Sequence, residues 1–374
     1  MSIEYVEIRD INRSIIGIID TAQSIIWHTK YNGVGDFEIY TRSSLLTFNL
    51  LKEGNYVTRI DTDEIGIIEK VSVTFSARNG RMIIASGRFA KSILDRRHIY
   101  KLSGKTNTAT ILNGNVEKAI RSLVQDNAIS CSFDNKRNIS SLELGSFANL
   151  PEIIVDENGI ATQKQVSYEN LLEYTDSVLE EYNLSAKVIL SDAKKLQYVI
   201  YKGADRSTEN TEGNEPIIFS QEFDNLLESN YALLTESEKN VALIGGEGEG
   251  LDRFYSLVAG SETDLNRRET FVDASSISIK YKDENGEEKT YSDAEYQKLL
   301  NSQGKQNLSE MKKVETFNGS INITDGQFVL NRDFYLGDIV TIQDNGIGKY
   351  INARITEITE AQDENGYSVS IDYE

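Results

Sequence analysis

The 374-residue chain has a single cysteine, Cys131, two histidines, two prolines and one tryptophan. One thiol forms no internal disulfide and builds no cysteine zinc site. No stretch approaches the 18 or so uncharged apolar residues that a membrane-spanning helix needs, and MSIEYVEIRD carries acids where a secretory leader would be basic. These features predict synthesis and assembly in the cytoplasm of the cell that makes the protein, with no membrane span. Basic residues are outnumbered, 39 Lys and Arg against 59 Asp and Glu, for a net charge of −20. No Lys/Arg stripe offsets that excess, which excludes stable nucleic-acid binding. Simple solubility accounts for the acid excess at this level.

What is present is buriable surface, 39% apolar and 9% aromatic, enough for two or three domains each with its own core. By chance 30 Asn and 26 Gly would meet about twice, yet eight Asn-Gly pairs occur, among them Asn79-Gly80, Asn158-Gly159, Asn285-Gly286, Asn345-Gly346 and Asn365-Gly366. Both residues tolerate the positive φ of tight hairpin turns. The flanking segments alternate, VSVTFSA with RMIIASG and ARITEIT with YSVSIDY, which predicts antiparallel strand pairs with one buried face. Helices lie between two strand-rich ends. Ser167 is read as the cap of SYENLLEYTDSVLEEYNL, with Leu171, Leu172, Tyr174, Val178, Leu179 and Tyr182 at helical spacing. Val116, Ala119, Ile120, Leu123 and Val124 mark a second helix. Ser292 and Glu295 form a capping-box pattern for a third, expected to break at Gly304 and to resume from Leu308 to Val314.

The two ends resemble each other. Gly54-Asn55-Tyr56-Val57-Thr58 leads through a long alternating strand to Asn79-Gly80 and MIIAS, and Gly337-Asp338-Ile339-Val340-Thr341 leads in the same way to Asn365-Gly366 and YSVSI. Duplication produces this pattern, and so does similar turn chemistry in two unrelated β-domains. The loops at 205 to 215 and 283 to 288 read as solvated acidic segments, and Pro216 after the first marks a boundary.

Segments that could carry chemistry lack the pattern the chemistry needs. VALIGGEGEG spaces its glycines as Gly246-x-Gly248-x-Gly250 and continues into LDRFYSLVAG, which alternates like a strand. A dinucleotide loop needs a helix there, and Glu247 and Glu249 would face a pyrophosphate, so a hairpin is expected. Asp61 to Gly66 begins like a calcium loop, but Ile65 and Ser72 stand where oxygen ligands belong, so a turn is expected. His28, beside Trp27, is read as a strand residue, and His98, in Asp95-Arg96-Arg97-His98, as an interface or surface residue. Neither has zinc or triad spacing. No catalytic, cofactor-binding or metal-binding residue is assigned, and no cofactor is implied.

Trp27 with Tyr31 and Gly35-Asp36-Phe37-Glu38-Ile39, Gly66-Ile67-Ile68, ASGRFAKSILDRRHI at 85 to 99, PIIFSQEFDNLLESNY at 216 to 231, NVALIGGEGEGLDR at 240 to 253, RRETFVDAS at 267 to 275 and LGDIVTI at 336 to 342 together resemble the siphophage tail-protein family of the ReqiPepy type. The fold of that family resembles the baseplate hub of contractile phages and the hub part of type VI spike proteins. The resemblance implies an α+β, mostly β protein with two similar small β-barrels. One occupies 1–105 and the other 216–260 with 311–374, with a helix-containing middle at 106–215 and an insertion at 261–310. It implies a structural, non-enzymatic homotrimeric hub at the virion tail tip. Such a hub closes the tail tube and joins the distal tail protein ring, the tape measure protein and tip fibre, spike or receptor-binding proteins. Three copies of two barrels would match a sixfold tube ring, and an acidic lumen would let DNA pass without sticking. Longer members continue into wall-binding or wall-cutting regions, and since this sequence stops at Glu374, those tasks are expected to fall to other proteins. A carbohydrate-binding or cell-wall-binding tip adhesin and a tail-associated peptidoglycan hydrolase are the alternatives.

Overall fold

The computed structural model describes residues 3–78, 80–103, 106–107, 109–155, 159–282, 287–321 and 328–373. Of the residues singled out above, Asn79, Asn158, Asn285, Gly286 and the rest of 283–286 lie outside these. The chain forms two compact units, Met1–Asn230 with Phe317–Glu374, and Tyr231–Thr316.

The first end contributes eight strands: β1 (Val6–Arg9), β2 (Ile15–Ile19), β3 (Ala22–Lys30), β4 (Asp36–Arg42), β5 (Tyr56–Thr58), β6 (Ile65–Ile67), β7 (Lys70–Ser76) and β8 (Gly80–Arg88). A short helix α1 (Leu45–Leu50) lies between β4 and β5. Alternation works as the residues predict: Phe37, Ile39 and Thr41 of β4 are buried while Asp36, Glu38 and Arg42 are exposed. Trp27 anchors this core, its ring 4.8 Å from that of Phe89 and 5.8 Å from that of Phe37.

The middle begins with a small hairpin, β9 (Leu102–Ser103) with β10 (Thr106–Asn107). It continues with β11 (Thr110–Asn113), α2 (Val116–Val124), β12 (Leu142–Leu144), β13 (Gln163–Val166), α3 (Leu171–Glu181), β14 (Ser185–Leu190) and β15 (Leu196–Tyr201). Val116, Ala119, Ile120, Leu123 and Val124 of α2 are all buried, as their spacing predicts. Ser167 does not cap α3; Asn170 does, accepting from Leu172 N at 2.9 Å. The chain before it is pinned to the preceding segment by Tyr168 N donating to Ile99 O and Ile99 N to Glu169 O, so the helix starts three residues later than its composition allows.

After β16 (Ile218–Ser220), β17 (Leu226–Leu234) leads into the small unit. There β18 (Val241–Gly245) pairs antiparallel with β19 (Tyr255–Ala259) and parallel with β20 (Glu269–Asp273), next to a hairpin of β21 (Lys280–Lys282) and β22 (Glu288–Thr290). The segment 241–259, assigned from sequence to the second barrel, thus shares this unit with the 261–310 segment. Helix α4 (Asp293–Glu310) carries the expected Ser292/Glu295 capping box but runs without a break through Gly304. A Cβ there would lie 2.6 Å from Ile244 Cδ1, so this glycine lets the helix approach the sheet and does not end it.

The second end follows with β23 (Val314–Ile321), β24 (Ile339–Asp344), β25 (Lys349–Asp363) and β26 (Gly366–Tyr373). Its strand order, β16-β24-β25-β26-β23-β17, repeats β1-β5-β6/β7-β8-β4-β3 of the first end, with the 15-residue β25 standing for β6 and β7 together. The agreement extends to single bonds. Gly54 N donates to Ile68 O and Ile68 N to Asn55 O; Gly337 N donates to Ile355 O and Ile355 N to Asp338 O, all at 2.9 Å. Both glycines take positive φ, +83° and +93°. Counting on from Ile68 and Ile355, Ser76 and Asp363 occupy the same place in their hairpins, opposite Gly80 and Gly366. The ends differ in that β1 runs antiparallel to β5 whereas β16 runs parallel to β24.

Among the described residues no barrel closes, because β3 gives its second edge to β25 and not to β7 of its own end: Glu360 lies opposite Trp27 and Gln362 opposite Ile25. Both ends thereby share one sheet of order β17-β23-β26-β25-β3-β4-β8-β7, with β24 and β16 branching from β25.

The twin glycines separate two costs. A Cβ on Gly54 meets nothing, whereas one on Gly337 would strike the buried Tyr31 ring. Gly54→Ala should cost about 1–2 kcal/mol for the left-handed backbone alone. Gly337→Ala should cost about 1–3 kcal/mol more through overpacking, read as a lower midpoint in urea unfolding.

Candidate functional site

The segments with partial catalytic or ligand-binding patterns are engaged in the fold. The glycine-rich turn closes the β18–β19 hairpin, and Glu247, which a phosphate would meet, accepts from Ile279 N at 2.6 Å while its own N–H donates to the Tyr296 hydroxyl. In the Asp61–Gly66 turn, Asp61 binds Arg59 through both carboxylate oxygens. His28 lies on β3 between Glu357 Oε2 at 2.7 Å and Asp36 Oδ2 at 3.2 Å, and His98 is exposed, its Nδ1 3.0 Å from Tyr168 O. Cys131 is buried and free. Among the described residues no group of three His, Cys, Asp or Glu is placed to hold a metal ion, and no helix is long and apolar enough to cross a membrane.

The features that organise the large unit lie where β3 meets β25. Arg59, just after β5, reaches across to Glu360 with Nη1 at 2.9 Å and Nη2 at 2.8 Å, one to each carboxylate oxygen. The guanidinium carbon stands 5.4 Å from the Trp27 ring centroid, and the Tyr367 hydroxyl donates to Glu360 at 2.5 Å. The Arg59 and Glu360 side chains are 1% and 5% exposed. Burial opposes the charge on Arg59, but the bonds to Glu360 and Asp61 more than offset it and hold its pKa above the ordinary value. Further along the same strand pair, Glu357 joins Lys30 Nζ at 2.9 Å to His28. Burial alone would raise its carboxyl; the Lys30 and His28 bonds outweigh that and leave it below the usual range. No local sequence signal announces any of these partners, since Arg59 and Glu360 stand 301 positions apart.

Beside this lock is a cavity of about 650 Å³, lined by the β5–β6 turn, β14 and β15, and the segment before β24. Its walls carry both signs of charge, Asp61, Asp63, Glu64, Asp338 and Glu360 with Lys187, Lys202 and Arg206. Asp338 is 3% exposed and accepts from Ala204 N and Arg206 Nε, tying the second end to the chain that leaves β15. Glu64 is the outlier: burial pushes its carboxyl up to about 7, against the pull of Lys187, with Asp63 adding to the rise.

The sheet itself stops at β7 and β17, each with one pairing edge open among the described residues. Val73 and Phe75 on β7 are 39% and 73% exposed, and Leu227 on β17 is 62% exposed. Long apolar edges of this kind are templates for further strand pairing.

This fold is similar to that of solved phage tail proteins. It matches the 43 kDa tail protein of prophage MuSo2 from Shewanella oneidensis at a TM-score of 0.59 and 13% identity, covering 99% of this chain and 98% of that one. The tail protein from Neisseria meningitidis MC58 matches at 0.55 and 14%, over 99% and 95% of the two chains. Prophage tail protein gp18 from Listeria monocytogenes EGD-e matches at 0.50 and 12%, over 98% and 94%. The chain belongs to the family described as Siphovirus ReqiPepy6 Gp37-like protein, matched over residues 5–372. Among curated proteins none matches it.

Two outcomes check the charged groups. Glu360→Ala strands the Arg59 charge in the interior and should cost about 3–5 kcal/mol in urea unfolding, more than Asp61→Ala at the exposed end of the same cluster. For Glu64, the folded state holds its proton more tightly than an ordinary carboxyl of pKa 4.5 does, up to about 7. Its contribution to stability is therefore intact below 4.5 and lost as pH rises through 7. Glu64→Gln should flatten that fall and unfold at higher urea than the parent at pH 8.

Proposed function

We propose that this tail protein is a structural hub: a homotrimer at the tail tip that closes the tube and joins the distal tail ring to tip fibres or spike, without a catalytic site of its own. The observation that carries the reading is the identity of the two open sheet edges. In the middle of the sheet, β25 of the second end pairs with β3 of the first. The open edges are β7, which occupies the place of β25 in its own end, and β17, which occupies the place of β3. The joint already made inside one chain can thus be repeated between chains, β7 of one copy against β17 of the next. Where the rotation from module to module closes, head-to-tail contacts that repeat an internal joint make a ring of near-equivalent modules. Three chains of two modules give six, the number a sixfold tube ring requires, which supports the trimer over other copy numbers. Exposed Val73, Phe75 and Leu227 would be covered in such a joint.

The net charge of −20 is consistent with a ring that DNA crosses without being held, since like charge keeps phosphates mobile. The sequence resemblance to baseplate hubs supports the same place in the particle. The tape measure protein and the tail tube are partners on this reading.

Light scattering coupled to size exclusion tests it. The protein should run as a species of three times 42.0 kDa. Val73→Glu with Phe75→Glu, placed on exposed positions, should leave a folded 42.0 kDa monomer. A parent of any other copy number removes the reading, and a double variant that stays trimeric moves the interface away from β7.

A further inference from the structure

Several arginines of this acidic chain are bound to carboxylates, among them Arg59 to Glu360, Arg88 to Glu69 and Asp95, and Arg206 to Asp338. Arg13, Arg96 and Arg97 depart from this. They line one cleft of about 400 Å³ in the large unit, between the β1–β2 turn, the 3₁₀ turn Ala90–Arg96 and the loop at Ile139–Ser141. Among the described residues none of the three is within ion-pair distance of a carboxylate. Arg13 is held at φ +63° by its turn; its Nε donates to Lys194 O and its Nη1 to Ile11 O. Arg97 donates to the carbonyls of Arg137 and Arg96. The Glu69 carboxylate feels the charge of Arg96 but is bound to Arg88 at 2.9 and 3.0 Å. Burial, then the like charges of Arg137 and Arg96, hold the Arg97 guanidinium below its ordinary pKa. Arg96, Arg97 and Arg137 are thus close enough for their charges to repel, and among the described residues none of them has a carboxylate within ion-pair distance.

The floor of the cleft is apolar. Tyr56, Ile67, Ile93 and Leu196 are 9%, 5%, 4% and 1% exposed, and Ile11 stands at the rim with 70% of its surface bare. Carboxylates bind guanidiniums in paired, directional hydrogen bonds, and an apolar floor below them suits a side chain from the same segment. We propose that this cleft receives an acidic polypeptide segment of another protein, with carboxylates on Arg13, Arg96 and Arg97 and an apolar side chain on the floor. Charge complementarity selects that occupant. A nucleic acid would bring its backbone up against the net charge of −20 and would find no exposed ring to stack on, since Tyr56 is nearly covered.

The proposal does not depend on the trimer. Fluorescence anisotropy tests it with a labelled hexapeptide of two leucines flanked on each side by two glutamates, a matching peptide with lysines for the glutamates, and oligothymidylate. The acidic peptide should bind saturably at low salt and weaken as salt rises, while the lysine peptide should not bind. Among the described residues the Arg96 side chain makes no hydrogen bond, so Arg96→Glu should weaken binding about tenfold or more while leaving the urea midpoint unchanged. Arg97→Gln should weaken it to a lesser degree. Absence of saturable binding overturns the proposal, as do equal affinity of parent and Arg96→Glu protein and tighter binding of oligothymidylate than of the peptide. Binding by the Val73→Glu, Phe75→Glu chain but not by the parent also overturns it, because a second copy would then fill the cleft.

Discussion

The large unit depends on an arginine and a glutamate that have no water to turn to. Taking either charge out of solvent costs several kcal/mol, and only close bidentate geometry offsets it. Arg59 and Glu360 meet that condition with both guanidinium ends on both carboxylate oxygens, over the face of Trp27. A strand has a side-chain period of two, so a one-residue slip of β25 along β3 would turn Glu360 to the other face and leave Arg59 alone in the core. The pair therefore specifies the register that joins the first end of the chain to the last. From that register follow the single continuous sheet, the mixed-charge cavity beside it and the two strands left open at its limits.

Local structure was legible wherever its cause was local. The hairpins at Gly80 and Gly366 follow from turn residues between alternating strands, the start of α4 from Ser292 and Glu295, and α2 from its apolar spacing. The match between Gly54 and Gly337 in the sequence corresponds to the same two backbone hydrogen bonds in each end. Where a distant segment intervened, the reading shifted. The chain around Tyr168 is drawn to Ile99, which moves the cap of α3 from Ser167 to Asn170. Gly304 reads as a helix breaker until the side chain of Ile244 is placed against it.

Long-range pairing was not legible at all. Two modules with the same strand order suggest two self-contained barrels, and nothing in either stretch says that β3 takes a strand from the other module. His98 reads from sequence as a surface or interface residue, and nothing there marks its neighbours Arg96 and Arg97 as lining a cleft with Arg13, which comes from a turn more than eighty residues earlier. Such clusters are assembled by topology and leave no spacing to detect.

The repeat is not chemically symmetrical. Six residues before Ser76 stands Lys70, and six before Asp363 stands Glu357, so the two ends place opposite charges at one position of their long strands. Glu357 binds Lys30 and His28 on β3. If β7 of a neighbouring copy tried to displace β25 from β3, Lys70 would be driven against Lys30, and the intruder would be repelled where the native strand is held. On the proposed trimeric reading, that sign reversal would disfavour domain exchange, letting a chain offer its open border to a neighbour without surrendering its own seam.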